Sequence, residues 1–271
     1  MAVFAQITDL HLRPPGVLTQ GHIDTDTFAV RAIDAVIAKH PDVDAVIVSG
    51  DVADLGEDGA YARAAELLTR FRVPVLVVPG NHDRTGPLRE AFLALPGVAD
   101  HEVPEKVCYA GKYGGVTVVM LDTSVDGLDT RQFHGELGEA QLAWLDKTLS
   151  AGGPTIIAMH HPPFDVAIGF MDEIGLRDAK KFSDIVARHS QVKRIVCGHV
   201  HRPIVGSAGG VPAVAIPGTA HQVELALAPG APPKLVMEPP AYGIHMVDET
   251  GAISHIGYVD HFGAPESFGD G

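Results

Sequence analysis

Short apolar runs that each end in a polar residue able to bind metal recur along the sequence. The clearest is a Val-Ile-Val run followed by Ser-Gly and Asp51, and its β-branched residues predict a strand buried on both faces. Other runs end in the same way near Asp9, Asn81, His160 and His199. Ligands of open α/β sheets bind beyond the carboxyl ends of strands. The repetition therefore predicts an α/β sheet with a functional site along one edge.

Amphipathic segments between these runs predict helices. Apolar side chains recur at helical spacing after the candidate caps at 24–26, and again over 61–70, 88–95, 139–149 and 178–189. The alternation of strand and helix is typical of α/β proteins with a mainly parallel sheet.

The last third of the sequence has a different pattern. Three strand-like runs, at 211–216, 243–247 and 253–259, have no helical segment between them. We therefore expect them to form a second, more antiparallel sheet.

Composition limits the classes of function. The sequence has 271 residues and is 46% hydrophobic, which is enough for one large domain with a sizeable core. Its formal net charge of -14 argues against long nucleic acid or an anionic membrane as a partner, because both bind basic surfaces. Two cysteines cannot form a disulfide framework and indicate a reducing compartment. With neither a signal-peptide pattern nor a long apolar run, we expect a soluble, cytoplasmic protein.

Carboxylate, imidazole and amide side chains gather at the predicted strand ends. They belong to Asp9, His11, Asp51, Asn81, His160, His199 and His201. These donors suit Mn²⁺, Fe or Zn²⁺, and the lack of thiolates argues against a closed structural zinc site. Ligands two residues apart, such as Asp9 and His11, are expected to point the same way from extended backbone. Seven ligands are too many for one ion and predict a two-metal hydrolase centre with open positions for water and substrate.

Five motifs carry a resemblance to a known superfamily. In sequence order they are Asp9-Leu10-His11, Gly50-Asp51 with Asp54, Gly80-Asn81-His82-Asp83, His160-His161-Pro162 and Gly198-His199-Val200-His201. Their order resembles that of the calcineurin-like metallophosphoesterases over most of the chain. Within that superfamily the sequence is similar to the bacterial class III cyclic-nucleotide phosphodiesterases and to the glycerophosphodiesterases. Residues 218–223 and the doubled proline after His161 carry this narrower resemblance.

The resemblance implies a role for each motif residue. It implies one metal ion on Asp9, His11, Asp51 and His201, and a second on Asp51, Asn81, His160 and His199, with Asp51 bridging. It also implies that His82 contacts the phosphoryl oxygen or protonates the leaving group, and that Asp54 orients His82. His221 is implied to lie over the substrate side of the site.

The resemblance further implies the fold, and the sequence pattern itself indicates the domain boundaries. The expected fold class is an α/β (α+β) sandwich of two stacked mixed sheets flanked by helices. We expect one catalytic domain over 1–262 and a flexible tail over 263–271. An excursion over 223–241, rich in Pro, Ala and Gly, is expected to act as a small cap or as an oligomer contact. It favours a homo-oligomer, a dimer or larger.

The function predicted on these grounds is hydrolysis of a small phosphodiester by a metal-bound hydroxide, with a cyclic nucleotide or a glycerophosphodiester as substrate. Glycerophosphodiesterases of this group have aromatic residues after the first motif, where this sequence has Gln20, Gly21 and His22. A phosphomonoesterase or nucleotidase is the nearer alternative, and a non-catalytic scaffold on the same fold is another. A nuclease is disfavoured by the acidic charge.

Several further residues have weaker claims to function. His161 either contacts substrate or is a turn residue beside Pro162, and Phe164 and Phe170 either line a substrate mouth or pack their own loop. We expect surface positions for His22, His134 and His261, and core positions for Trp144 and Cys197.

Overall fold

The computed structural model describes residues 1–95, 103–127, 133–261, 263–264 and 266–267. Within these residues the strands are β1 (Ala2–Ile7), β2 (Ala45–Ser49), β3 (Val75–Val78), β4 (Tyr109–Tyr113), β5 (Val116–Leu121), β6 (Thr155–Met159), β7 (Val192–Cys197), β8 (Ile204–Ala208), β9 (Val211–Ala215), β10 (Gln222–Val223), β11 (Leu235–Val236), β12 (Ala241–Val247) and β13 (Ala252–Tyr258). The helices are α1 (Thr25–Lys39), α2 (Asp58–Leu68), α3 (Thr85–Phe92), α4 (Gly138–Leu149), α5 (Gly169–Glu173) and α6 (Ala179–Val186).

The first sheet has the strand order β13-β12-β1-β2-β3. β1, β2 and β3 run parallel and are connected through α1 and α2, whereas β12 and β13 pair antiparallel. Every residue of β2 and β3 is buried, as their apolar runs predicted. Because the three parallel strands end at the same edge, the loops that follow them lie side by side.

The second sheet has the strand order β4-β5-β6-β7-β9-β8. Its four central strands run parallel, and β4 and β8 pair antiparallel at the two edges. Side chains of β5 alternate between two cores: Val118 and Met120 pack into the core shared with the first sheet, and Val119 and Leu121 into the core under α4 and α6. The second sheet is therefore buried on both faces, and the predicted sandwich of two mixed sheets flanked by helices is confirmed.

The expectation of a separate antiparallel sheet in the last third of the chain is wrong. β9 inserts into the second sheet parallel to β7, and β12 and β13 extend the first sheet. β12 pairs along β1 from Ala2↔Val247 to Gln6↔Gly243. β12 pairs with the edge of β1 that faces away from β2. The backbone groups of that edge would otherwise be left without hydrogen-bond partners in the sheet.

A buried polar network ties the two sheets together. His245 Nε2 donates to Gln6 Oε1 at 2.8 Å, and Ser254 Oγ donates to His245 Nδ1 at 2.8 Å. Gln6 Nε2 donates to Ser49 Oγ at 2.7 Å and to the Cys197 carbonyl at 3.0 Å. Burial lowers the pKa of His245 to about 3, so this imidazole is neutral in the folded protein.

Residues 223–240 of the excursion lie outside the two large sheets, whereas Ala241 begins β12. The two short strands of the excursion, β10 and β11, pair antiparallel as a ribbon. Large apolar side chains are exposed on or beside this ribbon, namely Leu225, Leu227, Leu235 and Met237. Of the predicted flexible tail, residues 265 and 268–271 lie outside the described residues. Among the described residues, no helix has the length and apolar content needed to cross a membrane.

Candidate metal centre

All seven predicted ligand residues meet at one edge of the sandwich. This edge holds the carboxyl ends of β1, β2 and β3 in the first sheet and of β6 and β7 in the second. The loops that follow these strands carry, in order, Asp9 with His11, Asp51, Asn81, His160, and His199 with His201. Asn81 is half-buried and the other six are buried. The fold thus brings together the side chains that the sequence pattern selected.

Four of these residues form a first group. One ligand atom from each lies within 4.8 Å of the others in the set Asp9, His11, Asp51 and His201. His201 Nε2 is 3.1 Å from Asp9 Oδ1 and 3.1 Å from His11 Nε2. His11 Nε2 is also 3.5 Å from Asp51 Oδ2. Two imidazole nitrogens and two carboxylates that face one another in this way fit the donor set of a single cation.

The second group shares Asp51 with the first. Asp51 Oδ2 is 3.3 Å from His160 Nε2, and Asn81 Oδ1 is 3.1 Å from the same nitrogen. The His199 ring lies 5.2 Å from the His160 ring, and its Nε2 is buried with no hydrogen-bond partner among the described residues. A buried polar atom without a partner is costly unless a ligand satisfies it. The group therefore fits a second cation, with Asp51 Oδ2 facing both.

Three of the four ligand histidines are held at their other ring nitrogen. His160 Nδ1 donates to a backbone carbonyl at 2.8 Å, and His201 Nδ1 donates to another at 2.9 Å. His11 Nδ1 is 3.2 Å from Asp54 Oδ1. Acceptors at Nδ1 favour the tautomer whose Nε2 carries a lone pair, which is the form that binds metal.

Five of the ligand residues have left-handed backbone. The φ angles are 55° at Asp9, 45° at His11, 49° at Asp51, 70° at His199 and 52° at His201. Such conformations cost on the order of 1 kcal/mol or more and concentrate at functional sites. The expectation that paired ligands lie on extended backbone is therefore wrong. The strands have ended before these residues, and left-handed turns orient the paired ligands instead.

Two glycines allow the loops to approach closely. A Cβ added at Gly80 would run into the carboxylate and the backbone nitrogen of Asp51, and one added at Gly50 would come within 2.7 Å of the His160 ring. Gly50 also has a φ of 96°. Side chains at these two positions would therefore displace ligand residues.

Asp83 holds the loops of two ligands together, a role that the sequence pattern did not reveal. Its carboxylate accepts from the backbone nitrogens of Val52 at 3.0 Å, Ala53 at 2.9 Å and Gly80 at 2.9 Å. Burial and the Asp51 charge raise the pKa of Asp83 to about 7, against the effect of these donors. The signal available in the sequence was the acid at the end of the Gly-Asn-His-Asp motif.

The charges of the centre favour ionised carboxylates. Burial raises the pKa of Asp51, but the charges of His160 and His82 outweigh burial and hold this pKa well below the usual range. For Asp9, likewise, His201 outweighs burial and lowers the pKa. Burial lowers the pKa of His160, but the Asp51 charge outweighs burial, and the pKa is raised to about 9. Anionic oxygens are the form that a cation requires.

His82 and Asp54 lie beside the centre, and the His82 side chain contacts the backbone carbonyl of Asp54. His82 Nδ1 donates to the Asp54 carbonyl at 2.7 Å, whereas Asp54 Oδ1 is 4.0 Å from that nitrogen. The Asp54 carboxylate instead contacts His11 at 3.2 Å and lies 3.6 Å from the Arg13 guanidinium. Asp54 therefore holds His82 with its carbonyl and a ligand histidine with its side chain.

His221 lies over the first group. Its ring is 5.1 Å from the His11 ring and 4.8 Å from the His201 ring. Burial and the neighbouring His201 lower the pKa of His221 to about 2, so its imidazole is neutral. Its Nδ1 is buried without a partner among the described residues.

His161 is buried and does not line the cavity over the ligands. Its Nδ1 is 2.8 Å from Thr123 Oγ1, and its Nε2 donates to the Phe133 carbonyl at 3.0 Å, so both ring nitrogens are used. Phe170 lines the cavity over the ligands, whereas Phe164 packs into the core of the second sheet. Of the other residues considered, His22 and His261 are exposed, His134 and Trp144 are half-buried, and Cys197 is buried.

A cavity opens over the two ligand groups, and we call it the main cavity. Five of the seven ligands contribute to its lining, together with Asp54, His82 and His221. The rest of the lining is mostly apolar and consists of Phe133, Phe170, Met171, Ile174, Val223, Pro233 and Leu235, with Gln20 and Lys234. These residues come from α5, the ribbon and separate loops, and of them only Val223, in the 218–223 stretch, belongs to a motif that the sequence made visible.

The sequence profile of the calcineurin-like phosphoesterases matches residues 2–203. The chain belongs to this family. As a calcineurin-like phosphoesterase, it is 33% identical over 256 residues to a probable cyclic nucleotide phosphodiesterase of Rhodopseudomonas palustris, covering 93% of this chain and 90% of that protein. It is 28% identical over 270 residues to a probable glycerophosphodiester phosphodiesterase of Arcobacter nitrofigilis, covering 98% and 96% of the two chains.

Further comparisons agree with the family. The 3′,5′-cyclic adenosine monophosphate phosphodiesterase of Escherichia coli is 30% identical over 225 residues, which are 80% of this calcineurin-like phosphoesterase and 76% of that protein. Among solved structures, a dimetal phosphatase from Danio rerio superposes with a TM-score of 0.62 at 15% identity, covering 93% of this chain and 98% of that one. At that identity the superposition bears on the fold alone.

Proposed function

We propose that this protein hydrolyses small phosphodiesters with two metal ions, one in each ligand group. The observation that carries the proposal is the position of Asp51 Oδ2, which is 3.5 Å from His11 Nε2 and 3.3 Å from His160 Nε2. One carboxylate oxygen that faces two donor groups is the arrangement of a bridged two-ion hydrolase centre. Nitrogen and oxygen donors without thiolate support Mn²⁺, Fe or Zn²⁺.

The bound metal ions and His82 would have separate roles in the reaction at phosphorus. Bound ions would activate a water and offset charge on the phosphoryl oxygens. His82 Nδ1 donates its proton to the Asp54 carbonyl at 2.7 Å, so the proton for the leaving group must be a second one, carried on Nε2 of the imidazolium. The proposed role of His82 is to place a proton on the departing oxygen.

The rest of the main cavity receives the organic part of the substrate. Apolar side chains such as Phe170, Met171 and Ile174 exclude water from one side of the bound ester. His221, which is neutral and half-buried beside the first group, can hydrogen-bond to an ester oxygen without adding charge.

Charge supports a diester over a monoester. Among the described residues that line the main cavity, Lys234 is the one lysine or arginine, and it lies 3.5 Å from Glu224. A phosphomonoester carries nearly two negative charges near neutral pH, whereas a diester carries one. A chain with a net charge of -14 and few cations at the cavity thus favours the diester. The names of the relatives point to cyclic nucleotides and glycerophosphodiesters as candidate substrates.

The test is turnover by protein that has been stripped of metal and reloaded with Mn²⁺. We expect bis(p-nitrophenyl) phosphate to be hydrolysed with a higher kcat/KM than p-nitrophenyl phosphate, and Asp51→Asn to abolish both activities. A higher kcat/KM for the monoester would contradict the diesterase assignment. If the diester is preferred, cyclic AMP and glycerophosphocholine are compared next, as natural-type diesters, under the same conditions.

We also propose that the chain forms a homo-oligomer through its ribbon and acts in the cytoplasm. Leu225, Leu227 and Met237 are 58%, 60% and 53% exposed, and apolar exposure of this extent favours contact with another chain. Light scattering should show a dimer or larger for the wild type and a monomer for Leu227→Ser with Met237→Ser. A monomeric wild type would rule the oligomer out. Two buried cysteines that form no disulfide with each other support a reducing compartment.

A further inference from the structure

A second cavity adjoins the main cavity behind His82. Asn81, His82 and Phe133 line both cavities, and the His82 ring stacks on Phe133 with centroids 4.6 Å apart and planes 30° apart. The stacked pair therefore forms a partition. Beyond it, the second cavity is lined by Leu55, Arg84, Asp126 and His134. We call it the Arg84 cavity.

Arg84 is a cation in a defined position. Its backbone nitrogen donates to the Tyr61 hydroxyl at 2.7 Å, and its stem lies so close to Gly56 that an added Cβ there would come within 2.6 Å of Arg84 Cγ and Cδ. Within the described part of the chain its guanidinium forms no ion pair, in contrast to Arg63, which is 2.6 Å from Asp26. An exposed guanidinium without a carboxylate is available to bind an anion in a bidentate geometry.

Three carboxylates, those of Asp54, Asp83 and Asp126, also line this cavity, and each is already engaged. Asp54 contacts a ligand histidine at 3.2 Å, and Asp83 accepts from three backbone nitrogens. Asp126 Oδ1 accepts from the Thr85 backbone nitrogen at 3.2 Å and from Thr85 Oγ1 at 3.1 Å. Thr85 begins α3, and the partial positive charge at a helix N-terminus offsets a carboxylate placed there. Among the charged side chains that the structure describes in this cavity, the Arg84 guanidinium is thus the least compensated.

A phosphodiester carries two organic arms on one phosphorus. If the phosphorus lies between the two ligand groups, its two arms leave in different directions. The two cavities meet at His82 and Phe133, which line both, so each cavity can receive one arm. We propose that the main cavity takes an apolar or aromatic arm and that the Arg84 cavity takes an arm with a carboxylate or phosphate, bound by Arg84. The inference rests on the proposed phosphodiesterase activity and names a specificity-determining residue for it.

The same layout favours acyclic diesters over cyclic ones. In a 3′,5′-cyclic nucleotide both ester oxygens belong to one sugar, so its organic part lies on one side of the phosphorus. An acyclic diester has two independent arms and fills both cavities. The second cavity and its guanidinium therefore favour a substrate class in which one arm is anionic.

The test compares two chromogenic diesters that share a p-nitrophenyl arm. One carries a carboxyethyl group as its second arm and the other a butyl group of similar size, so the leaving group and its chemistry are the same. The readout is the ratio of kcat/KM for the carboxyethyl ester to that for the butyl ester. We expect Arg84→Met to lower this ratio about tenfold, the scale of one charge-assisted hydrogen bond, and Arg84→Lys to retain most of it.

Arg72→Met is the matched control, because Arg72 is exposed in the connection between α2 and β3 and its substitution should leave the ratio as in the wild type. If Arg84→Met left the ratio equal to that of Arg72→Met while both diesters were hydrolysed, the inference would be overturned and the phosphodiesterase would stand. If the wild type hydrolysed neither diester, the proposed function itself would fall, and the inference with it.

Discussion

Gly80→Ala should disable the metal centre by a steric contact alone. Gly80 lies between β3 and the ligand Asn81, and an added Cβ would overlap the carboxylate and the backbone nitrogen of Asp51. The φ of Gly80 is outside the left-handed region, so alanine can adopt its backbone conformation without strain. Any effect of the substitution therefore reports on the contact with Asp51.

The magnitude follows from how tightly the two loops are packed. Overpacking a rigid site costs about 1–3 kcal/mol, so the free energy of unfolding should fall by that amount. Because Asp51 Oδ2 faces both ligand groups, its displacement also weakens both ion sites. A displacement of about 1 Å can lower turnover on the order of 100-fold, and we expect a loss of that size in kcat/KM for the diester.

The assay measures metal content, urea unfolding and diester turnover on Gly80→Ala and on Gly86→Ala as a matched control. Gly86 is exposed in the first turn of α3, and a Cβ there would meet nothing within 4 Å. Gly86→Ala should keep both ions and full turnover and should raise stability by up to about 1 kcal/mol. If Gly80→Ala also kept both ions and wild-type turnover, the reasoning about Asp51 would be refuted.

Three further predictions concern residues around the centre. Asp83→Ala leaves three buried backbone N–H groups without their acceptor, so urea denaturation should show a loss of about 3 kcal/mol or more, and an unchanged midpoint would contradict this. Asp54→Asn weakens the acceptor at His11 Nδ1, so chelator competition should show metal affinity about 10–100-fold lower; wild-type affinity would argue against that contact. His245 has a folded pKa of about 3 against 6.5 when unfolded, so the unfolded state binds its proton first as pH falls and stability is lost from about pH 6.5 downward. Between pH 7 and pH 5 this amounts to about 2 kcal/mol, and His245→Gln should flatten the pH dependence of the unfolding free energy by that amount; equal slopes would be the contrary result.

Much of the architecture could be predicted because buried parallel strands leave a local record in the sequence. The runs that became β2 and β3 are apolar throughout, and their ends correctly located Asp51 and Asn81. β8 leaves no such record, because it is an edge strand whose burial alternates and whose sequence contains Gly and Ser. The antiparallel pairing of β12 with β1 joins segments far apart in sequence, and no local pattern encodes it.

The site was predictable in its ligands and less so in its geometry. Residue types at strand ends identified the donors, but Asp and His give no local sign of left-handed backbone, as Asp9 and His201 show. The role of Asp54 depended on which neighbour its carboxylate would meet, and this was His11. The wall of the main cavity, including Phe133, comes from segments that only tertiary packing brings together.

The central claim is that Asp51 bridges two metal ions, and elemental analysis of the purified, metal-reloaded protein tests it most directly. The wild type should bind two ions per chain, Asp51→Asn should retain at most one, and Asp42→Asn, at an exposed position between α1 and β2, should still bind two. A wild type that binds no more than one ion, or an Asp51→Asn variant that keeps two with unchanged affinity, would contradict the account.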